Sequence, residues 1–196
     1  VWFLQRAIPY FAKHNIGLVQ CRWGHVNENY SSMTQAQALS IDFHFLIEQK
    51  AKSNSHLYMN FNGTAGIWKR ECIEDAGGWH TSTLVEDLDL SYRAQMKGWK
   101  CIFISDIVVD AELPVQMNAA KRQQFRWAKG AIQCAIKLLG DILIKRKIPI
   151  ETKLQAFVQL TRHIAYPLLL IQFLALPILL ASEMNLHIVR LVPGIT

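Results

Sequence analysis

The chain has 196 residues, 51% of them hydrophobic and 18% charged, with a net charge of +6. That length can bury one good core, and the sequence holds no internal repeat or low-complexity tract. Its four cysteines, at 21, 72, 101 and 134, include no Cys-x-x-Cys pair, which excludes a zinc spacing and leaves reduced, packed thiols in a cytosolic domain as the expectation.

In chain order, residues 16–21 read as a strand and 33–50 as a helix with Leu39, Phe43, Leu46 and Ile47 on one apolar stripe. A strand at 57–61 leads into Asn60-Phe-Asn-Gly-Thr-Ala-Gly66, a polar loop in which Gly63 and Gly66 allow positive φ or close backbone approach. A ligand could lie against this loop, or it could be an ordinary turn. A short helix at 69–75 stops at Ala76-Gly-Gly78, and a longer one follows from about 86 to 97. Thr81, Ser82 and Thr83 offer cap hydroxyls before it. Its first turn carries Glu86, Asp87 and Asp89. Acids there favour the helix macrodipole, yet adjacent carboxylates at a helix mouth are also how a site presents a general base.

Strands at 100–104 and 107–111 come next, and Pro114 breaks the pattern before a helix from about 118 to 139, closed by Gly140. On that helix Gln123, Arg126 and Trp127 occupy positions i, i+3 and i+4 and so share a face. A guanidinium fork suits phosphate, and an indole face suits a sugar ring. A basic amphipathic helix with a buried Trp would read the same way. Gly130, one turn on, lets something approach closely. Alternating strands and helices argue for an α/β fold with a largely parallel sheet.

The charge is local. Residues 121–162 hold ten basic against two acidic residues, a net +8, whereas 1–120 is −2. This basic stretch runs straight into 163–182, which contains no Asp, Glu, Lys or Arg and is long enough to span a bilayer. Such an arrangement suits anionic headgroups better than nucleic acid, and no nucleic-acid partner is expected. Between them, residues 151–162 are amphipathic, with Leu154, Phe157 and Val158 on one side. They read either as an interfacial helix or as one packed on the preceding domain.

Taken together and in this order, the strings at Gln20–Trp23, Asn60–Trp68, Ala76–Trp79, Val85–Leu90, Glu112–Pro114 and Gln123–Trp127 resemble the family 2 glycosyltransferases. These are inverting, membrane-bound polysaccharide synthases, and within them the strings look most like the cellulose-synthase-like mannan and glucomannan synthases and their bacterial relatives. The resemblance covers roughly residues 1–140. It implies the C-terminal part of a GT-A nucleotide-sugar domain, followed by interfacial and transmembrane helices. The expected organisation is a partial catalytic domain carrying the acceptor side at 1–142, a basic linker and interfacial helix at 143–162, a transmembrane helix at 163–182, and a loop with the start of a possible second span at 183–196.

The implied reaction is inverting transfer of a hexose from a nucleotide-diphosphate sugar to a glycan or lipid hydroxyl. It would occur at the cytoplasmic face of the plasma (inner) membrane, in a multi-pass protein that also contacts membrane lipids. Asp87 takes the role of base, with Glu86 beside it. Gln123 and Arg126 would neutralise the leaving diphosphate, Trp127 would face the acceptor sugar, and Asn62, Gly63 and Thr64 would line the acceptor side. Asp89 is expected to face away. A divalent metal, Mg2+ or Mn2+, is implied with its ligands in the family's N-terminal half. The one Asp-x-Asp string here, Asp87-Leu-Asp89, lies in the wrong element for that role, so no metal ligand is assigned. The chain is read as an internal fragment without activity of its own. Two readings of other classes compete: a membrane-anchored module that binds sugar or phosphate without turnover, and a structural membrane subunit.

Overall fold

A computed structural model describes residues 2–181. Helix α1 (Trp2–Ala7) and a 3-10 turn over Ile8–Ala12, opened by Pro9, come first. They put Phe3, Ala7, Tyr10 and Phe11 against Ile16, Val19, Cys21 and Ile107 of the sheet. The sequence reading did not anticipate this helix.

Strand β1 (Ile16–His25) is central, and its first six residues are all buried. Cover on both faces explains why it reads as a continuous apolar run rather than an alternation. Helix α2 (Ser32–Phe43) starts at a reciprocal cap between Ser31 and Thr34. It passes through a π-helical turn at His44–Gln49 into α3 (Lys50–Asn54). The buried face of this run is Thr34, Ala38, Phe45 and Gln49. The stripe expected to face the core is therefore turned outward, with Leu39, Phe43 and Ile47 exposed. Phe45 decides the orientation: its ring lies 5.4 Å from Trp23 and stacks 5.9 Å from Phe103, while Ala38 adds no bulk on the same side.

Strand β2 is short (Gly66–Trp68) and pairs antiparallel to β1, with Leu18 opposite Trp68. The strand expected at 57–61 is extended chain without a strand partner. Its backbone instead meets side chains of a later helix: Met59 N–H donates to Gln95 Oε1 at 2.9 Å and Phe61 N–H to Ser91 Oγ at 2.8 Å. Helices α4 (Arg70–Asp75) and α5 (Glu86–Met96) follow. Strand β3 (Lys100–Ala111) runs parallel to β1 along its whole length. The two strands read from the sequence are one, interrupted by a bulge where Cys21 pairs with Ile104 but Arg22 with Val108. The sheet is thus mixed, in the order β2-β1-β3.

Helix α6 (Met117–Ile144) continues straight through Gly140, where the sequence suggested a stop. A single glycine weakens a helix without ending it when the residues beyond it pack well, and Ile142 is fully buried. Helix α7 (Ile150–Thr161) folds back on α6 and buries Thr152, Ala156 and Leu160 with Tyr92, Leu138, Ile142 and Ile148. The stripe read from its sequence, Leu154, Phe157 and Val158, is the exposed one. The basic linker also has structural work: Lys145 Nζ donates to Met96 O at 2.8 Å, and Lys153 Nζ donates to Leu143 O at 2.7 Å. Each cation thus meets a helix C-terminus.

The chain divides into two compact units at residues 161 and 162. The second, as described, is a 3-10 turn at Arg162–Ile164 and helix α8 (Ala165–Ala181). Among the described residues one helical run, Ile150–Pro177, is long and apolar enough to cross a membrane. Within α8, Leu168 through Ile171, Phe173 and Leu174 are all exposed among the described residues, so it is apolar around its circumference. The loop and further span expected at 183–196 lie outside the described residues.

One contact in this fold is checkable at once. A Cβ on Gly130 of α6 would lie 2.6 Å and 2.7 Å from the two methyl carbons of Val85. Gly130→Ala should lower stability by roughly 1–3 kcal/mol, as overpacking does. Thermal unfolding should show Val85→Ala recovering part of that loss in the double variant.

Candidate active site

The polar loop is built by amides. Gln20, fully buried on β1, donates from Nε2 to the carbonyls of Thr64 at 3.1 Å and Ala65 at 3.2 Å, and its Oε1 accepts the Asn62 N–H at 3.0 Å. Gln49 donates to Asn60 O at 2.6 Å. The Asn62 side-chain oxygen is taken by Asn60 Nδ2 at 2.6 Å and Gln49 Nε2 at 3.3 Å. Asn62 therefore shapes the loop, while Gly63 and Thr64 are its exposed tip. Gly63 has φ +81°, and a Cβ there would sit 3.2 Å from Asp87 Oδ2. Loop and helix start are brought together at that point.

The three acids of α5 have three different environments. Glu86 is exposed, Asp87 partly buried and Asp89 fully buried. Burial pushes the Asp87 carboxyl up to about 6, and the Glu86 charge adds to the rise; the Leu88 N–H, bonded to Oδ1 at 2.8 Å, and the Arg126 charge oppose it. The helix has no side-chain cap, so Thr81, Ser82 and Thr83 do not play the capping role expected of them. Ser91 Oγ donates to Asp87 O at 2.6 Å while accepting the Phe61 N–H, which ties the loop to the same turn of helix.

Asp89 faces away from Asp87, as expected, but it is not a bland surface acid. Oδ2 takes Arg93 Nε and Nη2, each at 2.8 Å, and Oδ1 lies 2.7 Å from Lys137 Nζ. Arg93 also donates to the carbonyls of Ala76 and Gly78, and so clamps the turn made by Gly77 (φ +88°) and Gly78 (φ +78°). Lys137 extends the network to His80 Nδ1 at 2.9 Å and Ser82 Oγ at 3.0 Å.

Helix α6 brings its own face to this region. Gly130 rests on Val85, and Gln133 Oε1 accepts the Leu84 N–H at 2.9 Å. Arg126 is exposed and lines an open cleft of 590 Å³ with Trp79, His80, Thr81, Thr83, Leu84 and Glu86. Gln123, one turn earlier, is partly buried. Trp127 does not share Arg126's exposure; it packs in part against the cluster of Val85, Tyr92 and Leu138. The sequence reading missed Lys137, Ser91 and Gln95 as parts of this region, since each is an ordinary helix residue until the tertiary partner is known. Among the described residues no group of three or more His, Cys, Asp or Glu side chains could hold a metal ion.

Comparison with known proteins identifies the family and the fold. The family model described as glycosyl transferase family group 2 matches residues 2–193. A probable glucomannan 4-beta-mannosyltransferase of Oryza sativa subsp. japonica is 44% identical over 154 residues, covering 78% of this chain and 29% of the relative. Glucomannan 4-beta-mannosyltransferase 2 of Arabidopsis thaliana is 42% identical over 147 residues, 74% of this chain and 28% of the relative. The chain thus spans less than a third of these relatives' length. Among solved structures, a mannosyltransferase of Pyrobaculum calidifontis in complex with GDP-Man and Mn2+ superposes with a TM-score of 0.65. It is 21% identical, over 94% of this chain and 47% of that one, and shows the same fold.

The buried ion network sets a stability prediction distinct from chemistry. Asp89→Asn leaves Arg93 and Lys137 facing a neutral amide in the interior. It should cost about 3 kcal/mol, well beyond the few tenths expected of a surface helix-start acid. Chemical denaturation of the variant against the parent measures the difference.

Proposed function

The chain belongs to glycosyl transferase family group 2, and from that membership we propose that it forms the acceptor side of an inverting mannosyltransferase working at a membrane surface. The donor is a nucleotide-diphosphate sugar, GDP-mannose, and the acceptor a hydroxyl of a β-linked glycan. The sugar assignment draws on what the relatives and the solved neighbour are called. The observation that carries the reaction is Asp87: a carboxylate raised to about 6, against a loop glycine on one side and under the influence of Arg126 on the other.

In this mechanism the acceptor hydroxyl oxygen attacks the anomeric carbon, and its proton passes to the Asp87 carboxylate. The bond from C1 to the phosphate oxygen breaks, and the nucleoside diphosphate leaves with the electron pair. A base whose pKa lies just below the operating pH is ionised yet still a good proton acceptor. Glu86 keeps the Asp87 environment negative and offers an oxygen to the acceptor. Arg126, with Gln123, meets the charge developing on the diphosphate. Trp127 contributes to the acceptor wall, with Gly63 and Thr64 at the loop tip and Asn62 shaping the loop behind them. A divalent cation would accompany the donor and help to neutralise the diphosphate, and no step here is routed through it. Helix α8 supplies the anchor, and the exposed Ile150, Leu154, Phe157 and Val158 of α7 support that helix lying in the interface beside basic Lys145, Arg146 and Lys147.

The full-length enzyme tests this. Asp87→Asn should keep fold and donor binding while turnover falls roughly two to four orders of magnitude. In the parent, kcat/KM should lose about tenfold per pH unit below an apparent pKa near 6. The linkage sign gives an independent readout. The folded carboxyl binds its proton more tightly than the unfolded one, so its contribution to stability is greatest below the unfolded value and is lost as pH rises through about 6. Asp87→Asn should therefore raise the melting temperature at pH 7 and lose that advantage by about pH 4. Equal turnover in parent and variant would remove Asp87 from the chemistry.

Arg126→Lys should also reduce kcat, by about two orders of magnitude, because a point charge cannot replace a bidentate fork on a diphosphate. A rise in donor KM at constant kcat would instead mark Arg126 as a plain binding contact.

A further inference from the structure

Trp79 stands out among the six tryptophans. Its side chain is 47% exposed, yet little about its position is loose. The turn before it needs two left-handed glycines, and the carbonyls on either side of Gly77 accept from Arg93, itself fixed by the fully buried Asp89. Its ring meets Trp68 edge to face at 6.3 Å and 78°, and Trp68 meets Phe61 in the same manner at 5.8 Å and 85°. Gly66 makes room for that row: a Cβ there would come within 2.7 Å of Phe61 Cε2. The row thus runs from the loop that touches Asp87 to the open cleft lined by Trp79, Leu84, Glu86 and Arg126.

We propose that Trp79 is a stacking subsite for a pyranose ring of the acceptor glycan, in addition to the wall supplied by Trp127. This rests on the glycosyltransferase reading above. A flat, amphipathic ring held rigidly at half exposure loses little entropy on binding and offers its face to the C–H groups of a hexose. The polar edge of that hexose needs hydrogen-bond partners close by, and Thr81, Glu86 and Arg126 line the same cleft. A volume of 590 Å³ has room for more than one sugar ring. Of the two rings in the reaction, the acceptor is the better fit. The donor's diphosphate belongs with Arg126, while the aromatic row is anchored on the loop beside the base that must reach an acceptor hydroxyl.

The test uses the full-length enzyme in detergent, with GDP-mannose as donor and mannotetraose as acceptor, and compares Trp79→Ala and Trp79→Phe with the parent. Trp79→Ala should raise the acceptor KM about tenfold and weaken mannotetraose binding by calorimetry to a similar degree, the scale of one lost aromatic stacking contact. Donor KM should stay within about twofold of the parent. Trp79→Phe, which keeps a ring and the edge contact to Trp68, should recover most of the affinity. An unchanged acceptor KM and dissociation constant in Trp79→Ala would overturn the subsite, as would an increase confined to the donor KM. A loss that Trp79→Phe fails to recover, with a lowered melting temperature in both variants, would reduce Trp79 to a packing role. Asp87→Asn run alongside separates the layers. If it abolishes transfer while Trp79→Ala has no effect, the subsite fails and the enzyme reading stands. If Asp87→Asn transfers normally, the proposed base fails, and the calorimetry still decides whether Trp79 binds the oligosaccharide.

Discussion

The arrangement of this region depends on how closely α6 can approach the entry to α5. Gly130 lies against the Val85 side chain, and any side chain there would push the two apart. Around that contact Gln133 holds the Leu84 N–H, and Cys134 and Ala135 share a core cluster with Val85. Val85 immediately precedes Glu86 and Asp87, and Gly130 follows Arg126 by one turn. The same close approach therefore sets the Glu86 carboxylate and the Arg126 guanidinium at a common cleft, with Asp87 next to Glu86 on the helix. Two motifs more than thirty residues apart in sequence are brought close through the absence of a methyl group.

Two neighbouring aspartates on one helix show how burial and partners divide roles. Asp87 and Asp89 are two residues apart, so they point to different sides of α5. Asp89 meets a guanidinium and an ammonium and is held as a structural anion, and through Arg93 it shapes the turn before Trp79. Around Asp87, burial outweighs the backbone N–H groups of Leu88 and Asp87 and the Arg126 charge, which leaves its carboxyl raised to about 6. A fully paired buried carboxylate makes a poor base, whereas an incompletely paired one is available for proton transfer.

Much of this was legible in the sequence because the informative residues carry their chemistry in their type. The acid string, the Gln-x-x-Arg-Trp string and the glycine-punctuated loop were all placed on the elements or loops expected for them, and Gly130 proved to mark a close approach. What the sequence could not supply was the identity of partners. Residues 57–61 look like a strand by composition, but whether extended chain pairs with a strand or with Ser91 and Gln95 of a helix depends on tertiary placement. The outward turn of Leu39, Phe43 and Ile47 has a similar origin: small Ala38 and the ring of Phe45 fit the sheet better than the more hydrophobic stripe beside them. Trp127, expected to face the acceptor sugar, is instead partly buried against the Val85 cluster, since a tryptophan's type does not say which of its neighbours leaves it room.

The last link runs through α7. Its buried face is Thr152, Ala156 and Leu160, of which Ala156 and Leu160 join the core cluster that α6 supplies with Cys134, Leu138 and Ile142. From the same helix Gln159 donates Nε2 to Asn60 Oδ1 at 2.9 Å, and Asn60 in turn bonds Asn62. An amide relay therefore connects a helix at the far end of this unit's sequence to the loop whose tip touches Asp87. The Gln159 and Asn60 side chains in that relay both donate and accept, so moving α7 would leave polar groups unpaired rather than merely loosen packing. The loop is consequently fixed from three directions: by Gln20 on the sheet, by Ser91 and Gln95 on α5, and by Gln159 on α7. Such over-determination lets a polar, glycine-containing segment hold a single geometry next to the Asp87 carboxylate, as the proposed positioning of an acceptor hydroxyl requires.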